Sequence, residues 1–192
     1  MNTWYVGDPH LDHLNKRGTG VIDYCDRPFD DIKKMNEVIM DTWNRYVKPK
    51  DKVKILGDFC FSHPQYFLDK LNGKFTFIVG DHDRSIAYIE RHPKVEKVTY
   101  IDISKIGKIY LTCCHWCMRV WPKSHFNSWH LYAHSHGGLP PIGKSFDVGV
   151  DNIYKHFGEF RPINVDEVTK IMDRSPDNFN FIKKKKTIDK KE

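Results

Sequence analysis

Asp8-x-His10, Asp58, Asp81-His82-Asp83, His115 and His134-x-His136 hold the carboxylates and imidazoles of this 192-residue chain that could do chemistry together. Carboxylate oxygen and imidazole nitrogen form the donor set that suits divalent Mn, Fe, Zn or Ni. Singly, each residue has an ordinary explanation. An Asp after a strand caps a turn or a helix, and a His is commonly a surface or hydrogen-bonded core residue. What sets these apart is a shared setting, at or just past the end of a β segment. Gly also precedes three of the Asp residues (Gly7-Asp8, Gly57-Asp58, Gly80-Asp81), as a backbone turning sharply beside a cation requires. A rival metal reading, a zinc module at Cys113-Cys114-His115-Trp116-Cys117, needs a second Cys pair at a suitable distance, and the sequence has none. Those cysteines read instead as the end of a buried strand.

The elements that must position these groups alternate between strands and helices. Strands at 3–6, 52–56 and 75–79 each run into a Gly and then an Asp. Helical stretches fall at 30–46, with Ile32, Met35, Val38, Ile39, Thr42 and Trp43 on one face, and at 64–71, which opens on Pro64 as helices tolerate. Beyond residue 96 strands dominate, at 96–103, 108–113, 129–133 and 146–150, and 159–173 holds one further strand or short helix. An open sheet collects its strand-end loops along one edge, so the polar groups should converge there.

The length fits one domain, expected over 1–182. The formal charge is +6, from 31 Lys and Arg against 25 Asp and Glu, but residues 183–192 hold six Lys and two acids and so carry +4 of it. That lysine-rich stretch reads as a solvated, flexible tail rather than as a nucleic-acid arm. Five cysteines, three within five positions, read as reduced thiols. With no basic leader followed by an apolar stretch and no run of 18 apolar residues, the expected partners exclude a membrane. The expected location is the cytoplasm, or the host cytoplasm for a phage-encoded chain.

The order Asp-x-His, Gly-Asp, Gly-Asn-His-Asp/Glu, a single His and Gly-His-x-His is the signature of calcineurin-like metallophosphoesterases. This chain resembles it from end to end, in Gly7-Asp8-Pro9-His10, Gly57-Asp58-Phe59, Gly80-Asp81-His82-Asp83, His115 and Ala133-His134-Ser135-His136. Cys25-Asp26-Arg27-Pro28-Phe29, Trp43-Asn44, Arg119-x-Trp121, 128–132 and 145–151 also resemble small bacterial and phage members, so the likeness covers roughly residues 1 to 155. The resemblance implies an α/β sandwich of two mixed sheets packed face to face and flanked by helices. It implies two divalent metals, Mn, Fe, Zn or Ni, with Mn expected in vitro. Asp8, His10 and His136 would hold one metal, Asp81, His115 and His134 the other, and Asp58 would bridge them. A bridging hydroxide would attack phosphorus in line between metals about 3.5–4 Å apart. His82 would stabilise the transition state or protonate the leaving oxygen, and Asp83 would orient it. The substrate is a phosphomono- or phosphodiester, nucleotide or nucleic-acid derived among the options. Arg27, Arg119, His13 and His125 are the candidate substrate contacts.

The chain departs from the pattern at Asp81, where the family carries Asn, at Pro9, at Asp12 and at Ala133. An extra carboxylate at position 81 would weaken attraction for an anionic substrate, so a metal-binding scaffold with weak or no turnover is the alternative. Gly57-Asp58-Phe59-Cys60-Phe61 lacks the Asp and Arg that follow in Ser/Thr protein phosphatases, which argues against that substrate class. Asp8-Pro9-His10-Leu11-Asp12-His13 differs at one position from the metallo-β-lactamase motif. That fold leaves Gly80-Asp81-His82-Asp83 unexplained.

Overall fold

A computed structural model describes residues 1–183; the lysine-rich stretch, apart from Lys183, lies outside them. Two sheets face each other. The first has the order β4-β3-β2-β1-β9, from β1 (Thr3–Val6), β2 (Lys52–Leu56), β3 (Lys74–Ile78), β4 (Val95–Thr99) and β9 (Ile163–Asn164). Its first four strands are parallel and β9 is antiparallel to β1. The second has the order β5-β6-β7-β8, from β5 (Ile101–Ile106), β6 (Ile109–Cys114), β7 (Trp129–Tyr132) and β8 (Ser145–Asp147). There β5 and β6 form an antiparallel hairpin while β6, β7 and β8 are parallel. The expected architecture of two mixed, face-to-face sheets with flanking helices is the one observed.

Side-chain alternation explains the layers. Trp4, Val6, Val53, Ile55, Phe75 and Phe77 point to a core shared with α2 (Ile32–Tyr46) and α3 (Pro64–Lys70), through Met35, Ile39, Trp43, Phe67 and Leu68. The opposite face of the same strands sends Tyr5, Leu56 and Ile78 against Leu111, Cys113, Leu131 and Phe146 of the second sheet. Lys54 shares that inner face. Its ammonium donates to Asp102 on β5 at 2.7 Å and to Ser104 at 2.6 Å, so the charge is not left unpaired between the sheets.

Three elements differ from expectation. The run expected as one strand at 96–103 is two, β4 and β5, which belong to different sheets and are separated only by Tyr100. The strand expected at 146–150 stops at Asp147, and Val150 instead opens α5 (Val150–Phe157). The stretch 159–173 is both things it was expected to be one of: β9 and then α6 (Val165–Arg174), whose start is fixed by the Asn164–Glu167 capping box. The short helices α1 (Val21–Cys25) and α4 (Ile86–Glu90) fall outside the expected elements. Among the described residues no helix is long and apolar enough to cross a membrane.

Candidate metal centre

Parallel pairing puts the C-terminal ends of β1, β2 and β3 on one edge, and these ends deliver Asp8, Asp58 and Asp81. Beyond β6 comes His115, and beyond β7 come His134 and His136. The two sheets meet where Gly7 bridges to Gly149, with Gly7 N–H donating to Val148 at 2.9 Å. Close approach is why glycine is needed: a Cβ on Gly7 would lie 2.3 Å from the Ala133 Cβ. At Gly57, with φ +84, it would lie 2.6 Å from His115 Nδ1. Five of the candidate ligands are themselves held at positive φ: Asp8 at 53°, His10 at 50°, Asp58 at 51°, His134 at 66° and His136 at 47°. Side chains other than glycine adopt that conformation at a cost of about 1–3 kcal/mol each, so the surrounding structure must impose it, and such strain gathers at functional sites.

The side chains converge in two sets. Donor atoms of Asp8, His10 and His136 lie within 4.8 Å of one another, and so do those of Asp58, His115 and His134. Asp58 stands between the sets: its Oδ2 is 3.5 Å from His10 Nε2 and 3.6 Å from His115 Nε2. Its Oδ1 accepts from the His82 amide at 2.8 Å. The Asp8 carboxylate accepts from the His134 amide at 2.7 Å through Oδ2, while its Oδ1 and the Nε2 of His10 are buried with no hydrogen-bond partner. A buried polar atom left so costs about 1–3 kcal/mol, and a cation between the sets removes that cost. Donor chemistry agrees. His115 Nδ1 lies 2.7 Å from the Leu56 carbonyl oxygen, and donating there leaves Nε2 with a free lone pair. Burial first, with the nearby His136 and Arg27 charges, holds the His10 imidazole well below its ordinary pKa and so in the neutral, ligating form. Burial also pushes the Asp8 carboxyl well up, outweighing His136. A divalent cation would reverse that shift.

Behind His136 stands a support that sequence reasoning missed. Its Nδ1 lies 2.6 Å from Asp151 Oδ2. Burial opposes the imidazolium, but without a cation the Asp151 carboxylate outweighs it and raises His136 to about 10; a cation at Nε2 would displace that proton while Nδ1 still donates to Asp151. Asp151 in turn is gripped by Arg27, through Nε at 2.7 Å and Nη2 at 2.8 Å. Arg27 was expected to touch phosphate. It is instead 4% exposed, and its remaining donors go to the Asp8 and Pro9 carbonyls and the Met35 sulfur, so none is left for substrate. Asp147 is the second missed support, accepting from Ser135, Gly137 and Gly149 to shape the His134–His136 loop. Both lie in the 145–151 stretch. Carboxylates closing a strand were the signal available there.

The other expected residues divide. Asp81 is 43% exposed at the side chain, with Oδ2 3.2 Å from His134 Nδ1, at the mouth of the second set rather than inside it. His82 is exposed on the open side, its ring 5.8 Å from His10. Asp83 does not orient His82: its carboxylate accepts from the amides of Asp58, Phe59 and Gly80 at 2.7–3.0 Å, and it acts as a clamp on the Asp58 turn. His13 stands beside His10, with Nδ1 atoms 3.1 Å apart. Arg119 is exposed in the segment after β6, and among the described residues no hydrogen bond or salt bridge joins it to the candidate ligands. His125 is not brought in. It sits in the turn Ser124–Phe126 that precedes β7, at the opposite end of that strand from His134. Cys113 and Cys114 are buried at the end of β6, and among the described residues no group of three ligand-type side chains gathers around them.

No family model matches the chain. An uncharacterized protein of Methanocaldococcus jannaschii is 27% identical over 183 residues, spanning 89% of this chain and 91% of its own length. A protein of unknown function from Aquifex aeolicus superposes with a TM-score of 0.63 at 17% identity, covering 88% of this chain and 98% of its own. An archaeal phosphodiesterase, 14% identical, covers 78% of this chain and 83% of its own at a TM-score of 0.47, too loose to carry function across. What the Aquifex chain shares with this one is the fold.

Proposed function

We propose that this chain is a metal-dependent phosphoester hydrolase of the calcineurin-like kind, with one divalent cation held by Asp8, His10 and His136 and a second by His115 and His134 with Asp81 at its mouth. Asp58 serves both. The observation that carries the reading is the pair of buried, unpartnered atoms, Asp8 Oδ1 and His10 Nε2, beside an Asp58 Oδ2 that lies almost equally far from His10 and His115. Divalent cations bound there would supply Lewis acidity toward the phosphoryl oxygens and an acidified water as nucleophile, with Mn the metal expected in vitro. The remaining work falls to the chain. His82, tethered through its amide to Asp58 and open to solvent, would give the leaving oxygen its proton. Asp83 holds the Asp58 turn, Asp151 with Arg27 fixes the His136 ring, and Arg119, exposed three residues past Trp116, would attract the anionic substrate.

Hydrolysis of bis(p-nitrophenyl) phosphate with added Mn tests this. Turnover should vanish with chelator and with Asp58→Ala, and fall about 10²–10⁴-fold with His82→Ala, the usual range for losing a proton-transfer group. Metal binding without turnover of any phosphomono- or phosphodiester would favour the scaffold reading, which draws on the exposed Asp81 carboxylate beside His134. Its exposed negative charge beside His134 would repel an anionic ester, so Asp81→Asn should raise kcat/KM. An unchanged or lower value would show that the carboxylate is benign or adapted.

A further inference from the structure

The rim of the centre carries more aromatic surface than holding cations uses. The His13 imidazole lies flat on the Phe61 ring, with centroids 3.8 Å apart and planes 2° from parallel. This pair abuts His10, whose ring is 5.1 Å from His13 and 5.4 Å from Phe61, and His82 closes the group 5.0 Å from Phe61. Phe61 is nevertheless 40% exposed. Beside the other set, Trp116 meets His115 edge-on at 5.3 Å and is 36% exposed. A lone exposed aromatic is common on protein surfaces. Here there are two, each against a candidate ligand and one for each set.

Four exposed cations lie close in sequence to these rings, and the Trp116 indole N–H donates to Asp81 at 3.4 Å. Lys16 and Arg17 lie in the turn that Asn15 ties to the Tyr24 hydroxyl, and the Tyr24 ring is 5.9 Å from His13. Arg84 follows Asp83, and Arg119 lies three residues past Trp116. Among the described residues none of these four forms a salt bridge. The Asp12 carboxylate on the same rim is engaged by Asn36 and Ser62. Past Asp12 and Ser62 a cleft of about 510 Å³ continues between α2 and α3, with Lys33, Tyr66 and Lys70 on its walls.

A small phosphomonoester has no use for partly exposed aromatic rings beside both candidate ligand sets, whereas successive bases of a strand can stack on them while unpaired cations follow its backbone. We infer that the site takes a base-bearing phosphodiester, a short single strand of nucleic acid, with its phosphate over the two ligand sets, one flanking base on Phe61 and the next against Trp116. This rests on the phosphoesterase reading and narrows its substrate.

Two measurements on the full chain separate the two ideas. One is kcat/KM with Mn for thymidine 5′-(p-nitrophenyl) phosphate relative to ethyl p-nitrophenyl phosphate. The other is anisotropy of labelled hexadeoxyadenylate in excess chelator. Phe61→Leu and Trp116→Leu keep apolar bulk and remove the π face. The native chain should prefer the base-bearing ester by about tenfold or more; each variant should lower that ratio, and weaken hexanucleotide binding, by about 5- to 10-fold. Ratios and affinities that both variants leave unchanged would overturn the inference, as would a native chain that hydrolyses both esters equally and binds no hexanucleotide, although the phosphoesterase reading would survive. Stacking-dependent binding without hydrolysis of either ester would instead sink the phosphoesterase reading and leave the nucleic-acid site standing.

Discussion

Arg27 and Asp151 form a buried ion pair whose loss should show in stability before it shows in substrate affinity. Removing the guanidinium leaves the buried Asp151 carboxylate with His136 as its remaining partner and opens two backbone carbonyls to an apolar neighbour. Arg27→Met should therefore cost about 3 kcal/mol, measured as a lower urea midpoint at unchanged slope. A raised KM at native stability would restore Arg27 to the substrate. The sequence marked Arg27 as a cation in a motif but not as a buried one, because burial depends on partners 124 residues away. The candidate ligands were easier to bring together. Asp and His at strand ends have few other uses as a set, and Gly before Asp reports the turn that presents them. Asp83 was legible as important and misread in role, since a carboxylate that accepts from three amides looks the same in sequence as one that orients a histidine.

At the scale of elements, the strands that end in ligands were legible because each pairs an apolar run with a Gly-Asp stop. The β4–β5 switch was not. A β-branched run records strand propensity but not which sheet it joins, and one residue, Tyr100, carries the chain across. Similarly, Val150 continues the apolar run of β8 yet starts α5, because Gly149 turns the chain toward the Gly7 bridge. The sheets are also tied by a polar pin, Asp102 on β5 accepting from Lys54 on β2 and from Lys97 on β4, each at 2.7 Å. Burial raises the Asp102 carboxyl, but the two lysines prevail and the net shift is downward. A carboxylate depressed in the folded state contributes stability above its unfolded pKa of about 3.9, and that contribution is lost as pH falls through the lower folded value. Asp102→Asn should cost about 1–2 kcal/mol at pH 7. The gap to the native chain should close in urea melts below about pH 4. A gap constant with pH would remove the carboxylate from the pin.

Across the whole molecule, each set of candidate ligands draws on both sheets. Asp8, His10 and Asp58 come from the ends of the first, and His115, His134 and His136 from the ends of the second. Cations held there would staple the sandwich along its open edge and offset the strain of five positive-φ ligands. Metal should therefore stabilise the fold, by about 2.7 kcal/mol at a concentration 100 times its Kd, raising Tm. The direct measurement is bound Mn per chain, by elemental analysis after equilibrium dialysis, for the native protein and for Asp58→Ala, each with its Tm before and after chelation. The two-cation reading predicts two ions on the native chain, one or none on Asp58→Ala, and a fall in Tm on chelation that the variant largely loses. A native chain that retains no divalent ion, or an Asp58→Ala chain that retains as many as the native one with the same response, would contradict it.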